Sequence, residues 1–266
     1  MVRVPDGHPD RRAADADDVS AHGSIALATD FTLAERVAGY VPLLAHGAAT
    51  TLGVSLVAIG IGFALGAALL GVSMSPGPFA LRRRAVALYV SFFRGTPLLV
   101  QLLMLFYLPS AAGVDLPPPI AALLALGCNS AAFQCEILRA GLAAVPRGQV
   151  EAAAVFGLPA RKIFKHIQLP QIAVAVWPAL VSEAIDVLKG SAIVSVIAVT
   201  DLARTGRQIV AGNFRPLEVY VMVALIYLLL SLVVVAVGWS VRRRLTGRWA
   251  ARAPRVATAT TAGLLP

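Results

Sequence analysis

The chain of 266 residues is 58% hydrophobic and only 14% charged, which is too apolar for a soluble domain of its size. Its net charge of +9 is unevenly spread: up to Tyr40 four arginines face seven carboxylates, a net −3, so the remainder carries +12. Those cations sit in short segments between apolar stretches, where the positive-inside rule accounts for them, and they do not read as a nucleic-acid surface.

The acidic segment 1–35 lacks a basic region followed by an apolar core, so no cleaved signal peptide is expected; it reads as a disordered external segment. The first apolar stretch then serves as its own insertion signal. Because a membrane helix needs about 20 mostly apolar residues, five spans are predicted, at 42–72, 85–108, 119–138, 173–199 and 219–241. The fold class is therefore all-α and integral to the membrane, with a membrane domain at 36–245 and a disordered tail at 246–266. Gly62 and Gly66 in the first span form a small-xxx-small pair of the kind that packs helices closely, at a subunit interface or elsewhere. Cys128 and Cys135 share one face of the third span and read as small packing residues, since a disulfide within one straight helix is geometrically excluded.

Arg82 to Arg84, the basic loop after the third span, and Arg242 to Arg244 with Arg248 all fall on one side under a five-span count. The N-terminus is then outside and the C-terminus inside. The segment from Thr200 to Leu217 strains this assignment, since it is predicted outside yet carries Arg204, Arg207 and Arg215. It reads as a short amphipathic helix capped by Thr200, either interfacial or a docking surface for an external partner.

The loop at 145–170 reads as two short helices broken at Gly157. Glu151, Ala152, Ala153 and Ala154 favour helix, Gly157 can adopt the left-handed conformation that ends one, and Pro159 suits the first turn of the next. The product is a narrow knob with Phe156 and Phe164 as candidate apolar anchors. Arg94 and Glu136 lie at matching depth in neighbouring spans, where an ion pair is expected to hold the helices together. Glu183 and Asp186 are three apart on one helix face, either paired internally with Lys189 or lining a path for a cationic solute.

Glu151, Ala152, Ala153, Gly157, Ile167, Leu169 and Pro170 together spell E-A-A-x3-G-x9-I-x-L-P. This pattern resembles the loop by which importer permeases of the ATP-binding cassette (ABC) class grip their ATPase. Three further blocks narrow the likeness: Phe93 to Gln101 (F-R-G-T-P-L-L-V-Q), Asn129 to Ala132 followed by Glu136, Ile137 and Arg139, and Val145 to Gln149 with Glu151. The chain therefore resembles permease subunits of the polar amino acid group, which serves histidine, arginine, glutamine, glutamate and opines and has the type I importer fold. The resemblance implies a multi-pass subunit of the bacterial inner membrane. It implies a second permease subunit, identical or related, a cytoplasmic ATP-binding subunit dimer and an external solute-binding protein, with Arg204 and Arg207 as candidate docking residues. ATP is then bound by the partner, in keeping with the lack of G-x-x-x-x-G-K-[ST] in this chain, and neither a metal nor a resident cofactor is expected.

The segment Leu188, Lys189, Gly190, Ser191 departs from the family's L-K-D-T pattern by losing the Asp, while Ser182, Glu183 and Asp186 stand where Asn, Gln and Ser are usual. Candidate substrate-path residues are thus Asn129, Ser130, Ser182, Glu183, Asp186, Lys189 and Ser191, with a polar amino acid as the cargo, a cationic one if Glu183 or Asp186 lines the path. Alternatives are an opine, a polyamine or a sulfur amino acid carried by the same architecture, or an ion-coupled secondary transporter. An enzyme is not expected: H-E-x-x-H and G-x-S-x-G are absent, and His8, His22, His46 and His166 lack metal-ligand spacing.

Overall fold

A computed structural model describes residues 33–74 and 80–250, and every described element is helical. The segments expected to be disordered, 1–35 and 246–266, fall largely outside the described residues. In chain order the helices are α1 (Leu33–Met74), α2 (Ala80–Gly95), α3 (Leu98–Ala111), α4 (Pro118–Ala143), α5 (Arg147–Val155), α6 (Ala160–Ile163), α7 (Leu169–Gly190), α8 (Leu202–Asn213) and α9 (Pro216–Ala250). One π-helical turn, Phe164–Gln168, joins α6 to α7, and a 3-10 stretch, Ser191–Ile197, follows α7. Two compact units divide after Ala45; the first contains the start of α1, and the second runs from His46.

Among the described residues, α1, α4 and α9 are each long and apolar enough to cross a membrane, as are α2 and α3 taken together as one broken span. Two of the five expected spans differ from straight helices. The span expected at 85–108 bends by 110° between α2 and α3. Pro97 causes the break: it has no N–H to donate and it disfavours helical geometry at Thr96, while its own φ of −63° and ψ of 135° start α3 afresh. The span expected at 173–199 ends as α-helix at Gly190. Beyond it, Ser191 donates to the Leu188 carbonyl at 2.7 Å and Ser195 to the Ala192 carbonyl at 2.6 Å, and these i−3 bonds accompany a tighter 3-10 winding. That stretch terminates at Ala198 in a left-handed conformation, φ 68°. With Glu183, Asp186 and Lys189 along its length, α7 falls outside the set of sufficiently apolar helices.

Close approach holds the bundle together. The Gly62/Gly66 pair packs α1 against α4 within the subunit, so it does not await a second copy: a methyl group on Gly62 would stand 2.9 Å from Ser130 Oγ, and one on Gly66 2.8 Å from the Ala131 carbonyl oxygen. On the other side, Trp177 of α7 donates its indole N–H to the Gly238 carbonyl of α9 at 2.7 Å. The buried core between these contacts includes Ala58, Leu102, Ala122, Leu126, Val187 and Val194, mostly small or branched side chains that let helices come near. Both cysteines are free, and Cys135 is buried beside Val86 and Val90 of α2 as a packing residue.

Candidate functional site

The bend between α2 and α3 leaves carbonyls without helical donors inside an apolar layer, and amide side chains satisfy them. Gln101, 2% exposed, donates through Nε2 to the carbonyls of Phe93 at 2.9 Å and Thr96 at 3.0 Å and to Thr96 Oγ1 at 2.8 Å. Its Oε1 accepts from Asn129 Nδ2 of α4 at 3.0 Å, and the same amide also reaches the Phe93 carbonyl at 3.1 Å. The F-R-G-T-P-L-L-V-Q block is thus a broken helix followed by the residue that caps the break. Gln101→Ala would strand the Thr96 carbonyl and half of Asn129; each buried group so orphaned costs about 1–3 kcal/mol. We expect a marked drop in the thermal midpoint of the detergent-solubilised subunit, with a smaller drop for Thr96→Val.

Beside this bend opens a cleft of about 180 Å³, walled by Asn129, Glu183 and Asp186 over Leu98, Leu126 and Val187. Glu183, 8% exposed, accepts from Ser130 Oγ at 2.8 Å, and Ser130 in turn accepts from Gln134 Nε2 at 2.9 Å. Gln134 also donates to the Ile59 carbonyl of α1 at 3.2 Å, so one polar chain ties α1, α4 and α7 together. Asp186 pairs with Lys189 at 3.3 Å, with both side chains more than half exposed. Such exposed pairs are worth about 0–1 kcal/mol, so Lys189 does not lock Asp186 away from a solute.

Of the seven predicted path residues, Asn129, Glu183 and Asp186 line the cleft, and Ser130 orients Glu183 from behind. Ser182 and Lys189 are exposed on α7 but do not line it, while Ser191 is fully buried and turned onto its own helix. The expected Arg94–Glu136 ion pair is not formed. Glu136 pairs with Arg139 one turn along α4 at 3.2 Å, and the Arg94 guanidinium lies over the Phe133 ring, 5.4 Å from its centroid. A local i,i+3 partner was nearer than one across the helix interface, and an aromatic face served as the alternative for arginine.

The predicted knob has the expected geometry. Gly157 is left-handed at φ 79°, its N–H donates to the Ala154 carbonyl at 2.9 Å, and Leu158 N–H reaches back to the Ala153 carbonyl at 3.1 Å. These are the two bonds of a Schellman ending, which closes α5 sharply and turns the chain into α6 behind Pro159. Ala153 is buried against the base, whereas Val155 and Phe156 at the tip are 86% and 84% exposed. Glu151 lies with Arg139 and Arg147 around an open cleft of about 420 Å³ at the base. Ile167 and Pro170 are half-buried and Leu169 exposed where the π turn hands over to α7. The arrangement is a helical hairpin offering an apolar tip.

On the far side, α8 is capped by Asp201 and not by Thr200: Asp201 Oδ1 accepts from the Arg204 N–H at 2.8 Å. The buried Asp201 also accepts from Tyr227 of α9 through Oδ2 at 3.4 Å, and Thr51 of α1 accepts the Leu202 N–H at 3.0 Å. Arg204 is partly turned inward, donating to the Ser195 carbonyl at 3.3 Å, and Arg207 is exposed. Gln134 was not singled out from the sequence, although a polar side chain in an apolar stretch was the signal available, and the motif reading gave Gln101 no capping role.

Residues 67–247 match the family described as the binding-protein-dependent transport system inner membrane component. The chain belongs to that family. Its relatives include the arginine transport system permease protein ArtQ of Bacillus subtilis, 39% identical over 77% of this chain and 93% of that one. The glutamine transport system permease protein GlnP of Escherichia coli is 31% identical over 77% and 94%. Among solved structures, one described as an amino acid ABC transporter with histidines aligns with 81% of this chain and all of its own, at a TM-score of 0.74 and 34% identity. This binding-protein-dependent permease is therefore a multi-pass inner-membrane subunit of an ABC importer and not the subunit that hydrolyses ATP. The family implies an ATP-binding partner, a second permease subunit and a solute-binding protein.

Proposed function

We propose that this permease carries a polar, cationic amino acid across the membrane, drawing it from an external binding protein and releasing it into the cytoplasm. The carrying observation is Glu183, a carboxyl placed in the helix interface beside the bend, held by Ser130 and sharing a cleft with Asp186. Carboxylates at membrane depth are costly and persist where they face a cavity or a partner. A solute with a cationic side chain supplies such a partner, and the Asn129 amide that also lines the cleft can contact a carboxylate or amide of the solute. That the arginine transport relative is 39% identical supports this class of cargo.

The permease domain spans 36–245, with the N-terminus outside and the C-terminus in the cytoplasm. Two such subunits, identical or related, enclose the path. The hairpin in the loop at 145–170 inserts its Val155/Phe156 tip into the ATP-binding dimer, which alone binds ATP. Closure of that dimer moves the hairpins together and opens the helices outward. On the opposite face, α8 with Arg207 receives the binding protein, and Arg204 braces α8 against the 3-10 stretch. Transport by proteoliposomes holding all subunits tests the cargo. The double variant Glu183→Gln/Asp186→Asn should lower arginine uptake relative to glutamine by about tenfold, the equivalent of ~1.4 kcal/mol of discrimination. An unchanged ratio in a correctly assembled complex removes the cationic preference.

A further inference from the structure

A second feature lies at the hairpin end of the bundle, away from the polar cleft. An apolar cleft of about 230 Å³ runs along α1 from Phe63 to Met74, closed on its other sides by Leu138 and Leu142 of α4 and by Phe164 and Leu169 at the π turn. The twelve residues from Phe63 to Met74 make eleven helical rises, about 16 Å, close to the roughly 15 Å of one leaflet's hydrocarbon. The cleft is therefore as deep as a single acyl chain needs. Its rim is cationic: Arg83 donates through Nε to the Ser73 carbonyl at 3.1 Å, beside Met74, and the exposed Lys165 follows Phe164 directly. A larger apolar cleft of about 450 Å³, also lined by Phe63, lies against Trp177, Val181 and Val237, with no Lys or Arg among its lining residues.

We propose that the first cleft is a binding site for an anionic phospholipid of the cytoplasmic leaflet, one acyl chain lying between α1 and the π turn and its phosphate resting on Arg83 and Lys165. The combination of an acyl-length slot with Arg83 beside Met74 and an exposed lysine next to Phe164 in the chain is what distinguishes it from ordinary lipid-facing surface. Because Phe164 and Leu169 form one wall, the bound lipid touches the segment that connects the hairpin to α7. The site does not depend on which solute the permease carries.

The test uses the full chain in phosphatidylcholine vesicles doped with diazirine-tailed phosphatidylglycerol or, at the same mole fraction, diazirine-tailed phosphatidylcholine, followed by peptide mapping of the photoadducts. Phosphatidylglycerol is expected to label the Phe63–Met74 and Phe164–Leu169 segments in preference to phosphatidylcholine. Arg83→Gln and Lys165→Gln should each reduce that labelling about fivefold, the equivalent of the ~1 kcal/mol a basic residue contributes at an anionic surface. Gly71→Leu gives an independent check, since a Cβ there meets nothing within 4 Å and the longer side chain is aimed at filling the slot. It should remove labelling while the thermal midpoint holds. Equal labelling by both lipids, or labelling indifferent to the rim variants, would reduce the site to general lipid contact and overturn the proposal. So would a disulfide between two copies through Ala67→Cys, which would show that a second subunit covers the cleft.

Discussion

Gly66→Leu is expected to abolish the assembled fold of the subunit, and Gly60→Leu to be tolerated. At Gly66 even a Cβ would stand 2.8 Å from the Ala131 carbonyl oxygen and 3.0 Å from the Cys135 nitrogen. Both are backbone atoms of α4, so neither can rotate away, and α1 would have to move outward as a body. Overpacking of this kind costs roughly 1–3 kcal/mol even where side chains can adjust. Moving α1 also breaks the Gln134 bond to the Ile59 carbonyl and disturbs the Ser130 hydroxyl that orients Glu183. At Gly60 nothing lies within 4 Å of the new Cβ. Size-exclusion profiles and thermal midpoints of the two variants in detergent check the contrast; equal behaviour would show that α1 is not seated on α4 through this pair.

Phe156→Asp should separate the permease from its ATP-binding partner with little effect on the permease itself. The side chain is 84% exposed, so the substitution removes almost no packing within the subunit, and its N–H bond to the Ala152 carbonyl is made by backbone. If the tip enters the partner as proposed, the carboxylate would be desolvated without a counter-charge, a cost of several kcal/mol. Co-purification of the two subunits should fall by at least about a hundredfold in affinity, ~2.8 kcal/mol on the usual scale. Retention of the complex would mean that the tip does not enter the partner.

How much of this was legible follows from the range of each interaction. The hairpin was readable because its geometry is local: Gly157 takes a conformation other residues resist, Pro159 starts the next helix, and the alanines favour helix throughout. The polar cleft was half readable. Glu183 and Asp186 announced themselves as charges in an apolar stretch, but only packing revealed that Ser130 faces Glu183 while Ser182 and Ser191 face elsewhere. The bend at Pro97 was available from the proline, yet hydropathy averages over it and shows one span. Arg94 and Glu136 were matched by depth, which fixes height in the membrane but not rotation about the helix axis. Each found a nearer partner, Phe133 and Arg139. The α8 cap went to Asp201 and not to its neighbour Thr200 because the Asp201 backbone is extended there, with ψ near 180°, and its side chain reaches the Arg204 N–H.

The most direct test of the account is uptake of labelled arginine into proteoliposomes containing the permease, its ATP-binding partner and the binding protein, with ATP inside, compared with identical vesicles in which Gly157 is replaced by Asp. Asp at this left-handed position strains the turn modestly and, on the proposed coupling role, places a charge where the partner would grip. The account predicts uptake that requires ATP and the ATP-binding subunit and is lost in the Gly157→Asp vesicles although all subunits insert. Uptake that proceeds without the ATP-binding subunit, driven by an ion gradient and indifferent to Gly157→Asp, would contradict it.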